Sequence, residues 1–263
     1  MAEERVGELE ARIAELEQAA LAISGMPGGD GAAVVLDVDA GAVIDMNAQA
    51  NTTDDANTVT ETPDTVKPTV STITAATLNY GTGVLIITFA ETIDGNPATN
   101  VDLTKIYISN TAGSHDVVLT GATVTAADAV TLTITLTATQ KAAAIVISGV
   151  TGGDGGAVKV DLDAGAVKDL AGNTNDLSNG NAVTETADTT APAFVSANLT
   201  SSTNIDVTFN EGMGAVAANG SEFTSAGGRW TATAAAIDAT NKAVVHVTVS
   251  GIDATEELGM VSD

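Results

Sequence analysis

A block of about forty residues occurs twice in this chain at a fixed spacing, which restricts the architecture more than any other feature. Ile23-Ser24-Gly25 through Glu61-Thr62 returns as Ile147-Ser148-Gly149 through Glu185-Thr186, an offset of 124 residues that holds without a gap from Pro68 to Pro192. Within it, GGDGAAVVLDVDAGAVIDMNAQAN answers GGDGGAVKVDLDAGAVKDLAGNTN. Downstream, LIITFAETIDG is echoed by IDVTFNEGMGA, with the Phe pair Phe89 and Phe209 now 120 residues apart, so four residues have dropped out of the intervening loop. A repeat of this length is a whole domain rather than a solenoid turn.

Inside the unit the hydrophobic period is two. Val84 to Phe89, Lys105 to Ser109, Val130 to Thr137, Ile205 to Phe209 and Ala243 to Ser250 are rich in β-branched residues and separated by Gly, Asn and Asp clusters. That pattern predicts strands with Thr facing water and Val, Ile or Leu facing a core, joined by tight turns. Several such strands in about 120 residues predict an antiparallel β-sandwich. The expected fold class is mainly β: tandem antiparallel β-sandwich modules behind a short N-terminal coiled-coil helix. The expected division is 1–24 coiled-coil helix, 25–64 the terminal strands of a module, 65–188 a complete sandwich, and 189–263 a second, incomplete one. A tail and a headless remainder together make one module, so the N-terminal strands are expected to complete a C-terminal module, of a neighbouring chain or by fold-back.

The opening stretch carries a narrow apolar seam. Val6, Leu9, Ile13, Leu16, Ala20 and Ile23 are spaced 3, 4, 3, 4, 3, a heptad pattern flanked by Glu and Arg. Arg12-Ile13-Ala14-Glu15-Leu16-Glu17 resembles the short trimerisation signature of coiled coils, with Arg12 and Glu17 placed to bridge neighbouring helices. Residues Val6, Leu9, Arg12, Ile13, Leu16, Glu17, Ala20 and Ile23 are therefore the expected oligomerisation set, and a homotrimer the expected assembly. The alternative is an amphipathic helix folded onto its own domain.

Composition then narrows the function classes. Nine basic against 34 acidic residues give a net charge of −25, opposite to the footprint of a nucleic-acid binder or an anionic-membrane binder. No run approaches the roughly 18 apolar residues of a membrane span, and the charged N-terminus does not read as a secretory leader. With no Cys, disulfides and thiolate metal sites are excluded. Four Phe, two Tyr and one Trp leave no aromatic platform for sugar rings.

Asp188-Thr-Thr-Ala-Pro192 with its following strand, Thr208-Phe-Asn-Glu211, and Asp169-Leu-Ala-Gly-Asn173 resemble the bacterial Ig-like repeats of large surface proteins. The similarity is to repeats of cyanobacterial surface motility proteins and related adhesins, over roughly residues 27–263. The first copy departs from the pattern with Asp45-Met46-Asn47-Ala48-Gln49. The resemblance implies an extracellular or particle-surface building block without catalysis.

Carboxylates are the candidate ligands. Asp37 and Asp39, like Asp161 and Asp163, are two apart on a strand and project from one face. Asp45 and Asp169 follow after a turn, and Asn173 and Asp176 add oxygens in the second copy. Oxygen-only clusters suit Ca²⁺, which makes Asp161, Asp163, Asp169, Asn173, Asp176, Asp188 and Glu211 the expected metal set. Glu91 and Glu211, just after their strands, and Asp64 and Asp188 in the linkers form a second, interdomain constellation in this expectation. The alternative is that these acids only solvate a Thr/Val surface. No catalytic residue and no further cofactor is expected: His115 lies between Ser114 and Asp116, whose side chains point away from it, and His246 reads as a solvent-facing strand residue. The two Gly-Gly-Asp-Gly runs read as turns between strands, and Trp230 as ordinary packing.

Together these readings predict a non-enzymatic structural protein. A bacteriophage virion component (capsid decoration or a head or tail fibre) leads, with capsid or tail proteins as partners on a virion surface. A fragment of a cell-surface adhesin or S-layer-type protein, stiffened by calcium and placed among other cell-surface proteins, is the alternative.

Overall fold

The computed structural model describes residues 28–29 and 34–252, so the expected coiled coil lies outside the described residues. The described residues are mainly β, in three sheets. A two-stranded sheet pairs β1 (Val35–Val38) with β2 (Asp54–Thr58). An eight-stranded sheet follows, built from β3 (Ala76–Asn79), β4 (Val84–Ile93), β5 (Ile106–Ser109), β6 (Val117–Val118), β7 (Thr123–Val124), β8 (Ala129–Thr135), β9 (Lys159–Leu162) and β10 (Ser178–Thr186). Its order is β6-β5-β9-β10-β3-β4-β8-β7. The last sheet contains β11 (Phe194–Ser201), β12 (Asn204–Phe209), β13 (Thr231–Ile237) and β14 (Val244–Ser250), in the order β11-β12-β14-β13.

Period-two patterning produces the core. In β4, Leu85, Ile87 and Phe89 are buried between half-buried neighbours, and Leu132 and Ile134 do the same in β8. Those two strands pair antiparallel with Leu85 opposite Ile134 and Ile87 opposite Leu132. The other wing supplies Ile106, Ile108, Val160 and Leu162 to the same cluster. Each fully buried Leu or Ile stabilises by roughly 1.5–3 kcal/mol. The wings meet in β10, whose first half pairs antiparallel with β9 while Val183–Thr186 runs parallel to Ala76–Asn79 of β3.

One helix corrects the expectation that everything after the opening is β. α1 (Ala138–Ser148) interrupts the strands between β8 and β9. Its signals are local: Thr137 and Gln140 form a reciprocal capping box, and Gly149 closes it at φ +81°. The Gln140 amide donates to the Val118 and Thr120 carbonyls (3.0 and 3.1 Å), pinning the helix to the β6 edge. The Gly152–Gly155 turn therefore lies between α1 and β9, not between two strands. Its Gly153, at φ +90°, packs so closely on the Tyr80 ring that a Cβ would fall 2.1 Å from it.

The repeat is reproduced bond for bond. Val35 faces Thr58 as Lys159 faces Ala182, Leu36 faces Asn57 as Val160 faces Asn181, and Val38 faces Asp54 as Leu162 faces Ser178. The two copies differ in what surrounds them: Leu36 is 56% exposed and Val160 not at all.

Candidate functional site

The repeated hairpins are scaffolded by their own polar residues. Asn175 accepts from the Val167 amide and donates to the Asp163 and Asp176 carbonyls, each at 2.9 Å. Asn51 repeats all three bonds with Val43, Asp39 and Thr52. Asp161, fully buried, accepts from the Gly113 and Gly180 amides (2.9 and 2.7 Å), and Asp37 accepts from the Ala56 amide at Gly180's counterpart. Buried carboxylates are tolerated where backbone amides satisfy them in this way.

The expected metal set is consequently dispersed over five places. Asp161 holds backbone amides. Asp163 accepts from the Tyr107 hydroxyl at 3.1 Å and lies 3.7 Å from the His115 ring, which stacks on Tyr107 with centroids 4.0 Å apart. Asp176 pairs with Lys67 at 2.6 Å on the surface. Asp169 and Asn173 share a turn, and Asp188 and Glu211 share another cluster.

Two carboxylate clusters stand where the chain passes between sheets, at equivalent repeat positions. In the first, Asp64 of the linker, Glu91 of β4 and Asp169 of the turn after β9 bring carboxylate oxygens within 4.8 Å of one another. The Asp169 carboxylate is aimed by the Asn173 backbone and side-chain amides (2.7 and 2.8 Å), and the same side chain donates to the Asp64 carbonyl at 3.1 Å. The Ile93–Asp169 bridge brings the end of β4 to this turn. An all-oxygen set of three carboxylates fits a hard divalent cation such as Ca²⁺, with water and carbonyls completing the shell.

In the second cluster the equivalent pair, Asp188 and Glu211, flanks a lysine. Lys141 of α1 places its Nζ 3.0 Å from Asp188 and 3.3 Å from Glu211, all three side chains being close to nine-tenths buried. Burial pushes the Asp188 carboxyl up, but the Thr190 amide, Lys141 and Glu211 together hold it below its ordinary value. Glu211 moves the other way, raised by burial and by Asp188 against the pull of Lys141. The Glu211 Oε1 atom is buried without a hydrogen-bond partner. The sequence expectation grouped Asp64, Glu91, Asp188 and Glu211 as one constellation; the structure divides them between two clusters, and neither Asp169 as third member of the first nor Lys141 in the second had a local signal.

His246, expected to face solvent, is half-exposed and bridges two strands and a turn. Its ring nitrogens lie 2.7 Å from Asp206 and 2.8 Å from Asp238. Asp206 first, then Asp238, raises its pKa, while the Asn241 amide, the Thr240 hydroxyl and His246 hold Asp238 far below the carboxylate range. Trp230 packs partly buried against the second core with Phe223 and Phe209. The oligomerisation set from Val6 to Ile23 lies outside the described residues. A scan against protein-family models gives no match, and searches of curated proteins and of solved structures return none either.

Proposed function

We propose that this chain is a non-enzymatic structural protein, a building block of tandem Ig-like β-sandwich modules gathered into a homotrimer by its N-terminal helix. A virion surface, as capsid decoration or as a head or tail fibre, is the setting proposed for it. One observation carries this reading: the same hairpin is built twice in the same register, once as part of a shared core and once standing apart from it. Such reuse supports an array of joined modules. The Ig-like assignment is supported by β10, which leaves one wing to run parallel beside the first strand of the other. The polar investment at Asp161, Asn175 and Asp169 goes into holding turns, and His246 is hydrogen-bonded to two aspartates.

The test is solution molar mass by light scattering, with and without residues 1–22. Three copies of the 26.1 kDa chain give about 78 kDa, falling towards one copy on truncation. One copy in both cases overturns the trimer. Labelling with an antibody to the chain then separates particle surfaces from cell envelopes.

A second reading, a cell-surface adhesin or S-layer-type protein stiffened by calcium, is favoured by the convergence of Asp64, Glu91 and Asp169. Calcium should then raise the melting temperature of the wild-type chain and leave that of Glu91→Gln unchanged. An unshifted melting temperature with no calorimetric heat overturns it.

A further inference from the structure

The four-stranded sheet repeats half of the eight-stranded one. β11-β12-β14-β13 has the order and antiparallel senses of β3-β4-β8-β7. Ala197 faces Val207 and Leu199 faces Ile205, as Ala76 faces Ile87 and Leu78 faces Leu85. In the larger sheet the remaining edge of β3 is taken by β10. Among the described residues β11 has one neighbour, β12, and its other edge is open. The cost is visible in one position: Leu78 is 0% exposed and its counterpart Leu199 is 50% exposed. Over the face of the sheet that runs out to that edge lies a cleft of about 330 Å³, lined by Phe194 and Ala197 of β11, Val207 of β12 and Val247 of β14 together with Phe223 and Trp230.

The first hairpin is the matching part. In the second copy Val158, Val160, Leu162, Ala166 and Val167 fill the core. Their counterparts Val34, Leu36, Val38, Ala42 and Val43 are exposed or half-exposed. An apolar hairpin face and an apolar cleft, each without a partner among the described residues, cost free energy until they meet. We propose that the first hairpin of one copy completes the four-stranded sheet of a second copy, with Val59–Thr62 running parallel along Ala197–Thr200. The register is that of Val183–Thr186 on Ala76–Asn79.

Tethering makes the partner a second copy. The first hairpin is anchored at the turn after β9, through Asn173 to Asp64 and Lys67 to Asp176. The four-stranded sheet is anchored at the opposite end of that strand, where Lys141 holds Asp188 and Glu211 and the Thr139 hydroxyl reaches the Thr240 carbonyl. The nine residues of β10 alone, at about 3.3 Å each, separate the two ends by roughly 30 Å. The contact is heterologous, and repeats head to tail.

This inference rests on the structural-assembly reading but is separable from its trimer. Because the chain has no Cys, single cysteines report cleanly. Thr60 and Asn198 are the counterparts of Thr184 and Thr77, which are direct cross-strand partners. Full-length Thr60→Cys and Asn198→Cys chains, mixed and oxidised, should give the mixed disulfide dimer in about tenfold or greater excess over either homodimer. The double variant should give a ladder of oligomers. Leu36→Asp in the Thr60→Cys chain should remove the mixed dimer while leaving its β circular dichroism intact. Homodimers alone, no cross-link, or a double variant closed within one chain would overturn the proposal. Absence of the mixed dimer from chains that keep Leu36, with a mass still near three copies, overturns exchange alone. A mixed dimer that persists when truncation of residues 1–22 leaves the mass unchanged overturns the helical trimer alone.

Discussion

The hairpin formed by β1 and β2 and the one formed by β9 and β10 share register, bulge and turn bonds, yet one is exposed and the other lies in the largest core of the molecule. The comparison separates two layers of specification. Asn51 and Asn175, Asp45 and Asp169, and Asp37 and Asp161 define the hairpin through bonds within it, and of these only Asp161 adds a bond outside, from the Gly113 amide. Burial comes from elsewhere: β9 and β10 have β3, β5 and Tyr80 against them. The joint clusters teach the same lesson, since equivalent Asp and Glu residues meet an ammonium in one place and a third carboxylate in the other.

The sharpest way to break this comparison is to truncate one apolar residue in each hairpin. Leu162→Ala should cost about 4 kcal/mol in the unassociated chain, read by hydrogen exchange of the β4 and β9 amides, and Val38→Ala under about 1, read by exchange of the β1 and β2 amides. Equal costs would mean that the first hairpin already has a core of its own. Next, Lys141→Met leaves Asp188 and Glu211 without their cation and should cost about 3 kcal/mol, against under about 1 for Lys67→Met on the exposed Asp176 pair. Because Glu211 is already raised, acidification should recover part of the Lys141→Met loss in urea melts. A smaller difference separates the turns: Asn175→Ala, buried, should cost about 2 kcal/mol, and Asn51→Ala about 0.5, by the same melts.

The smallest effect is a pH dependence confined to the four-stranded sheet. His246 has its folded pKa raised by Asp206 and Asp238, so its contribution is complete below about pH 6.5 and is lost as pH rises through the folded value. Being half-exposed, it should contribute no more than about 1 kcal/mol. His246→Gln should flatten the dependence, monitored by Trp230 fluorescence; an unchanged profile would assign the titration to another group.

Much of the fold was legible in sequence because its signals are short-range or periodic. Alternation marked β4, β8, β12 and β14, and the 124-residue offset predicted that β1–β2 would repeat β9–β10. Asp64, Glu91, Asp188 and Glu211 stood out as repeat equivalents for the same reason, but their division into two separate clusters did not. α1 was obscured because its Ala-rich run follows directly on an alternating strand, although Thr137, Gln140 and Gly149 mark its ends. Lys141 reaches Glu211 across 70 residues of chain and His246 reaches Asp206 across 40, and no periodicity reports such meetings.

The double allegiance of β10 also has a mechanical consequence. The chain enters β3 at one end of the shared parallel ladder and leaves β10 at the other. Tension applied through Pro68 and Asp188 therefore pulls the two strands past each other along their axes. The pairs from Ala76–Val183 to Asn79–Thr186 carry the load together instead of parting one at a time, so this unit is loaded in shear rather than unzipped.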